Sequence, residues 1–157
     1  MWKVLAVVVV SSQVAVADPK PGSCEAVAKQ HAKSKKLALY KVPADCTPSG
    51  GDREPYAITS DGAARPFVTC KDPKAKLGID WKQHQLVVTA RSASPAEVGI
   101  DVYDDGKVVT FVSRQRPSCK NDPRPMPGPN TTFLYQLGAG ARTFAEGSCN
   151  VERTCPK

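Results

Sequence analysis

The chain has 157 residues, 41% of them hydrophobic, and a formal net charge of +7. A chain of this length is typical of one domain and buries roughly two thirds of its unfolded surface. The cations are scattered apart from clusters at 33–36 and 71–76, and no basic face is interleaved with aromatic residues. This pattern argues against nucleic-acid binding. It fits attraction to an anionic cell-surface component.

The first seventeen residues have the order of a secretory signal peptide. Lys3 gives a positive start, 4–10 is an uninterrupted apolar run, and Ala15-Val16-Ala17 has the small-x-small pattern of a cleavage site. The run is shorter than the roughly 20 residues that span a bilayer. We therefore expect a signal peptide at 1–17 and a single mature domain at 18–157, secreted or periplasmic, with no transmembrane segment.

An even number of cysteines in an exported chain predicts a disulfide framework. They are Cys24, Cys46, Cys70, Cys119, Cys149 and Cys155. No CxxC motif or zinc-ligand spacing occurs among them, so neither a redox centre nor a zinc site is expected. The connectivity stays open. Cys149 and Cys155 would close a small loop, or Cys119 pairs with one of them, and Cys46 pairs with Cys24 or Cys70.

One helix is predicted, over 23–36. Ser23 is a suitable N-cap, and Glu25 lies in the first turn, where the helix dipole favours an anion. His31 falls on the apolar face at helical spacing. A strand over 37–42 and a Pro- and Gly-rich loop over 43–55 are expected to follow.

Short strands are predicted at 55–59 and 66–70, around a turn at 60–62. The compact run 86–90 predicts another strand. Residues 98–112 alternate between apolar and polar around Asp104-Asp105-Gly106, which indicates a β-hairpin with its tip at the glycine.

The C-terminal part predicts a strand at 131–137 and a turn at 138–140, with 142–145 returning as its hairpin partner. Aromatic residues along the strands are expected to pack in the core, namely Trp81, Tyr103, Phe111, Phe133 and Tyr135. Together the elements predict a mainly β (α+β) fold, an antiparallel sandwich or partly open barrel with one N-terminal helix, stabilised by disulfides.

No catalytic constellation is recognisable. The chain has only two histidines, His31 and His84, and neither lies near a cluster of carboxylates. Asp101, Asp104 and Asp105 are the densest acidic group, and their position predicts a role in the hairpin turn. We expect no catalytic residue, no metal and no cofactor.

The proline-rich span 116–130 is the candidate binding loop, because long loops without regular structure are often functional. Its basic and apolar contacts would come from Arg116, Lys120, Arg124 and Met126. The alternative is a crossover pinned by Cys119. Asn130-Thr131-Thr132 also matches a glycosylation sequon, which has meaning only in a eukaryotic secretory pathway.

From Asp80 onward, the sequence resembles uncharacterised exported single-domain bacterial β proteins. The similarity rests on Asp80-Trp81 before the strand at 86–90, the hairpin at 100–106, the proline-rich stretch and 133–137. The outline is also similar to the C-terminal β-domain of protease-complex-stabilising proteins. No functional residue carries over from this resemblance. The function we predict is an exported, non-enzymatic binding module that engages an envelope protein or protease. The alternatives are a small secreted hydrolase with dispersed carboxylates and a structural envelope protein.

Overall fold

A computed structural model of the protein describes residues 22–50, 54–92, 96–120, 122 and 128–155. The predicted signal peptide at 1–17 lies outside these residues. The elements, in chain order, are α1 (Cys24–Gln30), β1 (Lys35–Lys36), β2 (Cys46–Pro48), β3 (Tyr56–Ile58), α2 (Asp61–Ala64), β4 (Val68–Cys70), β5 (His84–Ser92), β6 (Glu97–Asp104), β7 (Val108–Gln115), β8 (Asn130–Gly138) and β9 (Thr143–Asn150). No helix among the described residues has the length and hydrophobicity needed to cross a membrane.

The strands form three sheets, which confirms the predicted mainly β fold. Their orders are β1-β6-β7-β9, β3-β5-β8 and β2-β4. The two larger sheets pack face to face over one hydrophobic core, to which Val87, Val102, Phe111, Tyr135 and Leu137 contribute. The arrangement is therefore a sandwich, and the strands of the described residues do not close into a barrel.

A second core covers the opposite face of the β3-β5-β8 sheet. Leu86, Val88 and Leu134 pack there against Cys46 and Val68 of the β2-β4 pair. Both faces of β5 are thus buried, which explains why its sequence is a continuous apolar run rather than an alternating one. The predicted aromatic core is also confirmed, with Trp81 and Phe133 partly buried and the other three aromatic residues fully buried.

Three disulfides cross-link the chain, as predicted. The bonds are Cys24–Cys149, Cys46–Cys70 and Cys119–Cys155. The first attaches α1 to β9 on the outer face of the larger sheet. Because α1 itself has no buried residue, this bond and the half-buried Val27 hold the helix in place.

The predicted helix over 23–36 is too long, since α1 ends at Gln30. The apolar face stops at His31, and the chain then turns so that Lys35–Lys36 pair with β6. The predicted strand over 37–42 is replaced by an irregular segment that bridges two sheets. The predicted loop over 43–55 contains β2, which pairs with β4 through the Cys46–Cys70 register.

The strands predicted at 55–59 and 66–70 are present, but the turn between them is the start of α2. The Ser60 hydroxyl accepts a hydrogen bond from the backbone N–H of Ala63 and caps this short helix. The two strands belong to different sheets, because β3 pairs with β5 and β4 pairs with β2.

The predicted hairpin over 98–112 is confirmed as β6 and β7. Asp105 Oδ1 accepts the backbone N–H groups of Lys107 and Val108, and Gly106 has a φ of 93° at the tip. These backbone hydrogen bonds lower the pKa of Asp105. Asp104 Oδ1 accepts the N–H of Gly106, so the turn role predicted for Asp104 and Asp105 is confirmed.

The predicted return of 142–145 as the partner of β8 is wrong. The segment begins β9, which runs parallel to β7, the one parallel pair among the described strands. Parallel neighbours need a crossover connection, and β8 in the facing sheet provides it. The Arg142 guanidinium contacts Asp104 at 3.0 Å, and Phe144 packs in the core between the sheets, so tertiary contacts decide the pairing.

Candidate binding groove

A short segment of the chain crosses the gap between the two larger sheets. The Leu37 N–H donates to the Val102 carbonyl of β6 at 2.8 Å, and the Tyr40 N–H donates to the Leu134 carbonyl of β8 at 2.7 Å. Residues 37–40, here named the crossing segment, thus join the outer edges of β6 and β8. They fill only part of the gap between those edges.

The rest of the gap is an open cavity of about 450 Å³, here named the apolar groove. Its lining residues are Leu37, Leu39, Arg91, Glu97, Val98, Gly99, Ile100, Thr131, Phe133 and Tyr135. Leu39 is 54% exposed and Val98 is 38% exposed. They are two of the three large hydrophobic side chains that the described residues expose, so exposed apolar surface is concentrated at this groove.

Arg91 is the charged group that lines the inner part of the groove. It lies on β5 and is only 9% exposed. Its Nη2 donates to Glu146 Oε1 at 2.7 Å, which links the two sheets by an ion pair. Its Nε is buried and has no hydrogen-bond partner. A buried N–H without an acceptor is destabilising, so Arg91 has an unmet hydrogen-bond donor beside the groove.

Tyr135 supplies the second buried polar group of the groove. Burial, followed by the nearby Asp101 carboxylate, raises the pKa of Tyr135 to about 12. The hydroxyl therefore stays protonated near neutral pH and keeps a proton to donate. Glu97, on the rim, adds a negative charge.

A second cleft lies on the other side of the crossing segment, with a volume of about 550 Å³. Lys35, Lys36, Lys41 and His84 line it, and no acidic residue among the described ones does. Lys36 also contacts Asp101 at 2.7 Å. His84 is the first residue of β5 and lies in a basic environment.

A disulfide and an ion pair hold the first part of the candidate loop at 116–130 in place. Cys119 bonds to Cys155, and Asp122 accepts two hydrogen bonds from the Arg153 guanidinium. These bonds and the Cys119 N–H lower the pKa of Asp122 to about 2. The predicted anchoring by Cys119 is thus present.

The four residues predicted for that loop fall into two groups. Arg116 and Lys120 are exposed, whereas Arg124 and Met126 lie outside the described residues. Neither Arg116 nor Lys120 lines the apolar groove. The Arg116 N–H donates to the Ala96 carbonyl at 2.6 Å, so the loop starts beside Glu97 at the groove rim.

The remaining candidate residues have structural partners. His31 stacks on Tyr103 with ring centroids 4.6 Å apart. Asp101 forms ion pairs with Lys36 and Arg114 on the sheet, not in the turn, which corrects its predicted turn role. In the part of the chain that the structure describes, no three His, Cys, Asp or Glu side chains group closely enough to hold a metal ion.

Sequence reasoning missed the groove because its lining comes from three separate parts of the chain, 37–39, 91 with 97–100, and 131–135, which no local pattern connects. One local signal existed. Arg91 follows the apolar run at 86–90 with the same parity as Val87 and Thr89, which places a charge on an otherwise buried strand face. A charge at such a position needs a partner or a function.

Comparison of the chain with models of protein families, with curated proteins and with solved structures finds no match in any of the three.

Proposed function

We propose that the protein is an exported, non-enzymatic binding module that holds part of a partner protein in the apolar groove. The observation that carries the proposal is the placement of exposed Leu39 and Val98 at the rim of a cavity that leads to buried Arg91. Fully burying an exposed aliphatic side chain contributes about 1.5–3 kcal/mol, of which these partly exposed side chains forgo roughly half. Partner binding at this position would recover much of it.

The framework and the charge support the same proposal. Three disulfides are consistent with an oxidising compartment. The basic cleft beside the groove suits an anionic component of a cell surface, which would concentrate the module there. An envelope protein or a protease is the partner that the sequence resemblance favours.

A hydrolase has less support from the geometry. Glu97 is the one carboxylate among the described lining residues, and the nearby Glu146 and Asp101 are held in ion pairs with Arg91 and Lys36. A glycosidase needs two carboxylates that flank one substrate bond, and the described lining residues of the groove supply one.

The test compares three single variants of the exported protein. Val98→Lys and Leu39→Lys place a charge at the groove rim, and Tyr56→Lys is the matched control, because Tyr56 is also 54% exposed but lies outside the groove. Proteins captured from the envelope fraction of the source organism are identified by mass spectrometry. We expect a partner that the wild type and Tyr56→Lys retain and that both groove variants lose. Equal capture by all four proteins would refute the proposal.

The loop at 116–130 remains a second candidate surface, because its start is bonded beside the groove rim. The double variant Arg124→Ala, Met126→Ala tests it in the same capture experiment. Loss of the partner with an unchanged melting temperature would make the loop part of the binding surface. Unchanged capture would leave it a crossover.

A further inference from the structure

We propose that the occupant of the apolar groove is an extended segment of the partner, which adds as a strand to β6 and places a main-chain carbonyl on Arg91 Nε once the Arg91 side chain shifts to expose that buried atom. The inference deepens the proposed function and rests on it. Strand addition is a known mode of peptide recognition in which main-chain hydrogen bonds supply affinity and side-chain pockets supply specificity.

The outer edge of β6 presents peptide groups to the groove. The Val102 carbonyl points away from β7, since it accepts the Leu37 N–H. Peptide groups along a strand alternate between its two sides, so those of Ile100, two residues earlier, also face away from β7. Among the described residues, Lys35 and Lys36 pair with Asp104 and Tyr103 at this edge of β6, and Leu37 bonds to Val102. No described strand pairs with the edge before Val102. The Ile100 N–H and carbonyl are therefore open to a further strand.

The crossing segment already uses these edges in the same way. It runs between β6 and β8 and donates one main-chain hydrogen bond to each. The groove continues the same gap along the same two strands, from Ile100 on one side to Phe133 on the other. A partner segment lying there would extend an interface that the protein itself has built.

The polar groups favour a neutral acceptor over an anion. Arg91 already shares its charge with Glu146, and Glu97 adds a negative charge to the rim. A carboxylate of the ligand would be repelled by Glu97, whereas a peptide carbonyl accepts from Arg91 Nε without that cost. The apolar lining from Leu39, Val98 and Phe133 then takes alternate side chains of the segment, because successive side chains of a strand point to opposite faces.

The probe is a synthetic library of seven-residue peptides, acetylated and amidated at their ends, in which Thr alternates with Val, Leu, Ile or Phe. Binding to the purified oxidised protein is measured by fluorescence polarisation, with Val98→Lys as the blocked control. The best binder is then remade with single N-methyl groups at each peptide bond. We expect N-methylation at alternate bonds to weaken binding at least ten-fold, and amide exchange at Ile100 to slow on binding.

Two variants test the role of Arg91 in the same assay. Arg91→Met should weaken the best binder about ten-fold, whereas Glu146→Gln, which removes the ion pair but keeps Nε, should leave binding within about two-fold. Equal affinity of Arg91→Met and wild type would overturn the carbonyl contact. Circular dichroism melting shows whether either variant is folded, and Arg91→Lys, which also lacks the guanidinium Nε, replaces Arg91→Met if that variant is not.

Other outcomes separate this inference from the proposed function. Peptides that bind but tolerate every N-methyl group would overturn strand addition while leaving a side-chain binding groove. A library in which no peptide binds the wild type better than Val98→Lys would overturn the inference, although partner capture by the groove could still succeed. A wild-type dimer that Val98→Lys dissociates in sedimentation equilibrium would assign the groove to a second copy of the chain and overturn it too.

Discussion

The disulfide between Cys24 and Cys149 should stabilise the fold more than the disulfide between Cys46 and Cys70. It joins residues 125 positions apart, whereas Cys46 and Cys70 are 24 apart. Restriction of the unfolded chain predicts about 4.5–5 kcal/mol for the longer loop, once the shorter loop inside it is allowed for, and about 3.5 kcal/mol for the shorter. Replacing both cysteines of a pair by Ala should thus cost about 1–1.5 kcal/mol more for the longer bond.

The two double variants are well matched because each removes one buried and one half-buried sulfur. Cys149 is 3% exposed and Cys46 is 5% exposed. Guanidinium unfolding without reductant, analysed by linear extrapolation, gives the two free energies of unfolding. Equal costs, or a larger cost for Cys46–Cys70, would refute the chain-entropy reasoning. Such a result would indicate that α1, which has no buried residue, separates locally when its bond is removed.

Three further predictions concern single residues. The folded pKa of Tyr135, about 12, lies above its ordinary 10.0, so its contribution to stability is complete below pH 10 and is lost as the pH rises through 12. Between pH 9 and 11 the wild type should therefore lose about 1 kcal/mol more unfolding free energy than Tyr135→Phe, and parallel losses would contradict this. The folded pKa of Asp122, about 2, is depressed chiefly by Arg153, so its contribution is present above the ordinary 3.8 and is lost as the pH falls towards 2. A carboxyl-carbon NMR titration should show that pKa rising in Arg153→Ala, and an unmoved value would rule out the pairing. Gly106→Val should cost about 1 kcal/mol or more because φ is 93° there, whereas Gly147→Val, at an ordinary backbone conformation with open space at its Cβ, should cost less in the same urea titration.

Local sequence signals predicted the parts of the fold that depend on neighbouring residues. The hairpin at 98–112 has its alternation and its turn residues within fifteen positions, and the apolar run at 86–90 is long enough to identify a central strand. The cysteine count predicted three bonds. Each of these features is decided by spacing within a short window or by composition.

Pairing partners could not be predicted in the same way. β9 has an ordinary strand sequence after a glycine turn, which is equally compatible with a hairpin to β8 and with a crossover to β7. The ion pair between Arg142 and Asp104 and the packing of Phe144 on the opposite sheet decide between them, and both involve residues distant in sequence. The crossing segment is irregular for the same reason, because it pairs with two sheets in turn.

The groove follows from these non-local pairings. Val98 alternates with Ile100 as a buried residue would, but it falls at a register shift of β6 and is exposed. The β-bulge changes the direction in which the Val98 side chain points, and the alternation of apolar and polar residues does not reveal this change. Arg91 was detectable as a charge on a buried face, but its unpartnered Nε required the packed structure.

Site-specific photo-crosslinking in the source organism tests the central claim most directly. A benzoylphenylalanine at position 98 samples the groove rim, and the same residue at position 56 replaces another exposed hydrophobic side chain, one that does not line the groove. The account predicts that position 98 crosslinks to one exported partner through a contiguous apolar segment of that partner, and that position 56 does not. No protein crosslink from position 98, or the same products from both positions, would contradict it.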